Sequence, residues 1–287
     1  MRLRTVTRTQ GANAALKDGT IAPRGFELEF EEVPVLVQAF RRMVRGLEFD
    51  VCELAFTTYL CAKEHCKPFT ALPVFLVRGF HHGAIVCNPA AGIRAPKDLE
   101  GRRVGVNRGY TVTTGVWARG ILAAEHGVDL DRVTWVLSGD EHVAEYRPPA
   151  NVVAMEPGGD LGELLVRGEL AAAIGVEVDD PAVEPLIPDA AEAGFEALRR
   201  RGHHPINHLV VVRDDLLEAE PSLAPALVGA FTAAKDRYVE RLRAGAIAEP
   251  TAADRMHLRV LEITGRDPLP YGVEPNRGAI EGLFATG

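Results

Sequence analysis

The segment Arg201-Gly-His-His-Pro-Ile-Asn-His-Leu-Val-Val-Val-Arg213 constrains the chain most, because it sets three imidazoles (His203, His204 and His208) around a proline just before an apolar run. Four consecutive apolar residues, three of them β-branched, read as a buried strand, so histidine chemistry is delivered to the end of a sheet. A second cluster, Arg78-Gly-Phe-His-His-Gly-Ala-Ile-Val-Cys-Asn88, repeats the design with an arginine, an aromatic and paired histidines ahead of an apolar run. Two such elements from distant sequence can meet at one site.

The rest of the pattern alternates between strand and helix. Leu3 to Thr7 and Phe26 to Val33 read as strands with a short helix, Ala12 to Lys17, between them. Val35 to Val44 is a helix ended by Gly46, Phe49 to Leu54 a strand, and Thr57 to Glu64 a helix. Later, Leu161 to Val166 is helical, Arg167-Gly168 closes it, and Leu170 to Val176 is an apolar strand, which suggests two lobes of similar construction. Between these units the strand Arg103 to Val106 runs into Asn107–Thr114, whose threonines are expected to cap a helix reaching His126. A strand tip that meets a helix N-terminus favours a carboxylate or phosphate there. After the strand Leu209 to Val212 the chain reads as helical from Asp215 through Leu242, broken by Pro221, with an irregular C-terminus.

With 287 residues, 47% hydrophobic and 25% charged, the chain can bury a large core. It carries 32 basic against 40 acidic side chains, a formal charge of -8, and no lysine/arginine block, so nucleic acid is not expected as a partner. No run of 18 apolar residues is present, and the N-terminus goes straight into a strand without a signal-peptide core. The expectation is a cytoplasmic protein with no membrane partner. Cys52, Cys61, Cys66 and Cys87 lack both zinc spacing and disulfide density, and read as packed thiols. His204 and His208 stand four apart on an extended chain, roughly 13 Å, too far to chelate one ion together. No metal and no cofactor are expected.

Several elements resemble the 4,5-dihydroxyphthalate decarboxylase family: Glu53-Leu-Ala-Phe-Thr-Thr-Tyr-Leu60, Pro73 to His82, Asp98-Leu-Glu-Gly-Arg-Arg-Val-Gly-Val106, Thr113 to Leu122 and Pro205 to Val212. The likeness follows the same order over nearly the whole chain. It implies an α/β, two-lobed type 2 periplasmic-binding-protein-like fold with a ligand cleft between lobes. Lobe 1 would comprise residues 1–84 and 206–287, and lobe 2 residues 85–205. The chain departs from the family where Thr57 and Thr58 replace serines, where Gly83 replaces a small hydroxyl residue, and where Asn207 replaces a methionine; these changes bear on the substrate.

The resemblance implies a cofactor-independent decarboxylase of a hydroxylated, phthalate-like aromatic acid. Such chemistry needs a proton on the ring carbon that carries the leaving carboxylate, a partner for the phenol, and a cationic clamp for a second carboxylate. His82 and His208 match the family's histidine positions and would transfer the proton, with Glu53 orienting or deprotonating a hydroxyl. Arg78 and Arg108 would bind carboxylate, Thr57, Thr58, Thr113 and Thr114 would donate hydrogen bonds, and Trp117 would stack on the ring. The competing class is a non-catalytic solute-binding protein for an aromatic or other small carboxylate. A biosynthetic enzyme acting on a different small acid is a third reading, and fold analogy does not separate the three. The sequence leaves a homo-oligomer open.

Overall fold

The computed structural model describes residues 1–202 and 204–285, so His203 lies outside the described residues. The first passage of the chain supplies strand β1 (Arg2–Val6), helix α1 (Ala14–Lys17), β2 (Glu27–Phe30), α2 (Leu36–Gly46), β3 (Val51–Ala55), α3 (Phe56–Glu64) and β4 (Phe69–Arg78). The second builds β5 (Ile85–Cys87), β6 (Arg103–Val106), α4 (Thr113–His126), β7 (Thr134–Leu137), β8 (Val152–Ala154), α5 (Leu161–Val166), β9 (Ala172–Ile174), β10 (Glu184–Pro185) and α6 (Ala190–Arg201). The third adds β11 (Ile206–Arg213), α7 (Asp214–Ala219), α8 (Leu223–Arg243), α9 (Ala252–Thr264) and α10 (Arg277–Phe284).

The chain forms two compact units, Met1–Arg78 with Ile206–Gly278, and Gly79–Pro205 with Ala279–Gly287. The sequence placed the first boundary after residue 84 and kept the C-terminus in the first lobe. The chain leaves the first unit at Arg78 because β4 ends there, and His82–Ala84 is a short 3-10 turn that leads directly into β5 of the other sheet.

The first unit holds a five-stranded sheet in the order β2-β1-β3-β11-β4. Strand β1 is parallel to β2 and β3, while β11 runs antiparallel to both β3 and β4. All five residues of β3 are buried, and Leu209–Val212 of β11 are buried in turn, as expected of strands covered on both faces. Leu223, Leu227 and Phe231 of α8 share one core with Leu3, Val51, Val74 and Val210. Side chains of this size are each worth about 1.5–3 kcal/mol when fully buried.

The second unit holds a six-stranded sheet in the order β10-β5-β9-β6-β7-β8. Strands β9, β6, β7 and β8 are mutually parallel, and β5 is antiparallel to β9. Val104, Trp135 and Ile174 from the strands pack with Ala118 and Leu122 of α4, which fixes that helix against the sheet.

Three local expectations are revised. Helix α4 begins at Thr113 with Val112 as its cap and no side-chain capping bond, so the threonines do not cap it. Gly46 is the last helical residue of α2, and Leu47 takes the left-handed turn at φ 50°. The C-terminus is not irregular: Thr251 and Asp254 form a reciprocal capping box that starts α9, and Gly265 in the left-handed conformation closes it.

Candidate active site

Glu53 and His208 are brought together by strand pairing. His208 pairs with Ala55 and Val210 with Glu53, so Glu53 and His208 are diagonal neighbours on one face of the sheet. The Nδ1 atom of His208 lies 2.7 Å from Oε1 of Glu53. Pairing between β11 and β4 is irregular around His208, the kind of bulge that re-aims a side chain beside a site. Phe40 of α2 meets the imidazole edge-on at 5.2 Å between ring centroids. The Glu53 side chain is fully buried, whereas that of His208 is 16% exposed.

A buried carboxylate needs donors, and Glu53 has a second one that the sequence does not advertise. The backbone amide of Arg8 donates to Oε2 at 2.8 Å. The loop that carries this amide follows β1 and is pinned by Asn13, whose side-chain amide donates to the Arg8 carbonyl (2.8 Å) and to the Thr7 hydroxyl (3.1 Å). Gly11 lets the loop lie against α8, where a Cβ would come within 2.3 Å of the Tyr238 ring. With both Glu53 oxygens accepting, Nδ1 of His208 is the donor, and Nε2 is the nitrogen left for other chemistry.

Thr57 and Thr58 follow at the start of α3 and are buried. Arg78 ends β4 and is also buried, but its guanidinium is engaged within the first unit. Nη2 donates to the carbonyl of Pro270 at 3.0 Å and to the side-chain oxygen of Asn276. Burial pushes its pKa down to about 10, opposed by the nearby Tyr271 and Asp267, so it stays cationic at neutral pH.

The second unit contains a matching pair, of which only His82 stands out in the sequence. His82 is buried, and its Nε2 lies 3.2 Å from Oε2 of Glu125 on α4. Oε1 of Glu125 lies 3.3 Å from Nη2 of Arg201 at the end of α6. Burial alone would raise the Glu125 carboxyl, but the hydrogen bond to His82 and the charges of His82, Arg201 and Arg200 outweigh it and hold the group below its ordinary range. Nδ1 of His82 is buried without a hydrogen-bond partner among the described residues.

Arg108 sits in the turn between β6 and α4 with φ 71°, an uncommon value for a residue with a side chain. Its amide donates to the Ser138 hydroxyl at 2.8 Å. Thr113 and Thr114 open α4, with Thr113 buried. Trp117 is buried on the same helix, its ring parallel to that of His81 with centroids 6.4 Å apart. Thus Glu53, His208, Thr57, Thr58 and Arg78 belong to the first unit, and His82, Arg108, Thr113, Thr114 and Trp117 to the second. Among the described residues no group of three His, Cys, Asp or Glu side chains is arranged to hold a metal ion, and no helix is long and apolar enough to cross a membrane.

Comparison with solved structures identifies the architecture. The Candida albicans protein CA3427, described as exhibiting the generic periplasmic binding protein fold, superposes with a TM-score of 0.54 at 13% identity, covering 100% of this chain and 90% of its own. A Bordetella bronchiseptica RB50 protein gives 0.51 at 16% identity, with coverage of 100% and 89%. The chain therefore has the periplasmic-binding-protein-like α/β fold. No family model matches it. It is 30% identical over 265 residues to a 4,5-dihydroxyphthalate decarboxylase of Comamonas testosteroni, spanning 86% of this chain and 80% of that one. It is 35% identical over 146 residues to the 4,5-dihydroxyphthalate decarboxylase of Pseudomonas putida, which covers 48% of this chain and 56% of that one. The chain belongs to the 4,5-dihydroxyphthalate decarboxylase family, a family of carboxy-lyases.

Proposed function

We propose that the protein decarboxylates a hydroxylated, phthalate-like aromatic acid, with His208 as the proton donor and Glu53 as its partner. The observation that carries this reading is the His208–Glu53 contact at 2.7 Å, in which a fully buried carboxylate, held by the Arg8 amide, fixes the ring of a partly exposed imidazole. That is the arrangement by which a carboxylate sets the orientation and tautomer of a catalytic histidine.

In this reading a hydroxyl para to one carboxylate pushes electron density to the carbon that bears it. His208 in its doubly protonated form gives the Nε2 proton to that carbon, while Nδ1–H stays on Glu53. The bond to the carboxylate then breaks, its electron pair returns to the ring, and carbon dioxide leaves. Solvent returns a proton to the imidazole. Positioned acids of this kind contribute roughly 10²–10⁴-fold. Within the second unit we assign carboxylate binding to Arg108, with Thr113 and Thr114 as further donors. His82 is assigned a supporting part, because its Nε2 is committed to Glu125 and its ring is buried.

The test is to incubate the protein with 4,5-dihydroxyphthalate and with mono- and dihydroxybenzoates, following carbon dioxide release and ring absorbance. Turnover of the first and not of acids lacking a para hydroxyl supports the reading. Tight binding of the whole panel without turnover would replace it with a solute-binding protein.

A further inference from the structure

Two loops of the second unit, residues 107–112 after β6 and residues 138–141 after β7, are fastened to each other at two points. At the first, the Ser138 hydroxyl accepts from the Arg108 amide. At the second, the Glu141 carboxylate accepts from the amides of Tyr110 and Thr111 (3.1 Å for Thr111) and from the Thr111 hydroxyl at 2.5 Å. Gly109 makes the second fastening possible, since a Cβ there would lie 2.6 Å from a Glu141 oxygen. The buried guanidinium of Arg119 braces the same loop: it lies 3.6 Å over the Tyr110 ring and donates to the Tyr110 carbonyl at 2.8 Å.

Arg108 carries the first fastening on its amide and stands two residues before the second. Its backbone is held in the left-handed region, and its guanidinium has no hydrogen bond, ion pair or ring contact among the described residues. Backbone strain of this kind persists only where the surroundings impose it, and here they are Ser138 and Glu141. The Tyr110 and Thr111 amides ahead of α4, where the sequence favours a carboxylate or phosphate, already serve Glu141.

We propose that Glu141 is a positioning residue for substrate recognition: by capturing Tyr110 and Thr111 it holds Arg108 so that the guanidinium is presented to a carboxylate of the aromatic acid. This rests on the decarboxylase reading above, in which Arg108 binds that carboxylate. Glu141 acts through Arg108 on binding and takes no part in proton transfer. A loop held in advance spares the ligand the cost of ordering it.

The experiment uses phthalate, which lacks the activating hydroxyl, as a non-reacting probe. Its dissociation constant is measured by calorimetry for wild type, Arg108→Ala, Glu141→Ala and the double variant, beside kcat and KM for 4,5-dihydroxyphthalate. Each single substitution is expected to weaken phthalate and raise KM by about tenfold, with kcat within about threefold, and the double variant to bind no worse than Arg108→Ala alone. Glu141→Gln, which keeps one acceptor oxygen, is expected to fall between and serves alone if the alanine variant does not fold. Wild-type affinity in Glu141→Gln and Glu141→Ala, or effects that multiply with Arg108→Ala, would overturn the proposal while leaving the decarboxylase reading in place. A wild-type protein that neither binds phthalate nor turns over 4,5-dihydroxyphthalate overturns both.

Discussion

His208 with Glu53 and His82 with Glu125 are the same two functional groups in different settings. In the first unit the carboxylate is fully buried and takes a neutral backbone amide as its other donor, while the imidazole keeps 16% of its side chain exposed. In the second, the imidazole is buried to 4% and the carboxylate is met by arginines on a helix end. A neutral second donor leaves the charge of Glu53 to act on its histidine. An arginine competes for Glu125, so that pair reads as an ion-pair network that ties α4 to α6. The lesson is that a histidine's role follows from what else its carboxylate partner holds.

The largest effect is expected at the first pair. Glu53→Gln should lower kcat by roughly 10²-fold, and combining it with His208→Gln should cost little more than the worse single change, because the two act as one unit. Steady-state rates on 4,5-dihydroxyphthalate check this. The equivalent cycle at His82 and Glu125 should leave kcat within a few-fold.

The second pair should instead show itself in stability. His82→Ala removes a buried donor from Glu125 and should destabilise the fold by about 1–3 kcal/mol in urea unfolding at neutral pH. A kcat loss of 10²-fold or more without loss of stability would erase the contrast between the pairs.

A smaller effect concerns pH. The Glu125 carboxyl is held below its ordinary value of 4.5, so the folded state binds that proton less readily than the unfolded chain. Its stabilisation is therefore complete above about 4.5 and is lost as pH falls through the lowered folded value. Glu125→Gln should be less stable than wild type at pH 7, with the gap closing in urea titrations carried below pH 4.5. The smallest effect belongs to Arg200, whose side chain is 63% exposed and 3.5 Å from Glu125. Its replacement by alanine should change stability by less than about 1 kcal/mol.

The contrast also explains what could be read in the sequence. Glu53 was legible because a carboxylate inside Val51-Cys-Glu-Leu-Ala55 cannot be buried without a partner. His208 was legible as a histidine ahead of Leu-Val-Val-Val, although β11 begins earlier than that run, at Ile206. Glu125 was not, because on α4 it looks like any helical charge, and its partner lies 43 residues away. Arg8 was invisible because its contribution is a backbone amide, which any residue other than proline supplies. Glu141 carries no local pattern that marks it, and the glycine that admits its carboxylate, Gly109, lies more than thirty residues earlier. The start of α9 is legible in Thr251-Ala-Ala-Asp254, a capping-box pattern.

The central claim, that proton delivery belongs to His208 and not to His82, is tested most directly by carbon dioxide release from saturating 4,5-dihydroxyphthalate in His208→Gln and His82→Gln, with phthalate affinity measured on the same preparations. The account predicts that His208→Gln loses about 10³-fold in kcat while still binding phthalate, and that His82→Gln stays within a few-fold of wild type. Equal loss in both variants, or full turnover in His208→Gln, would contradict it.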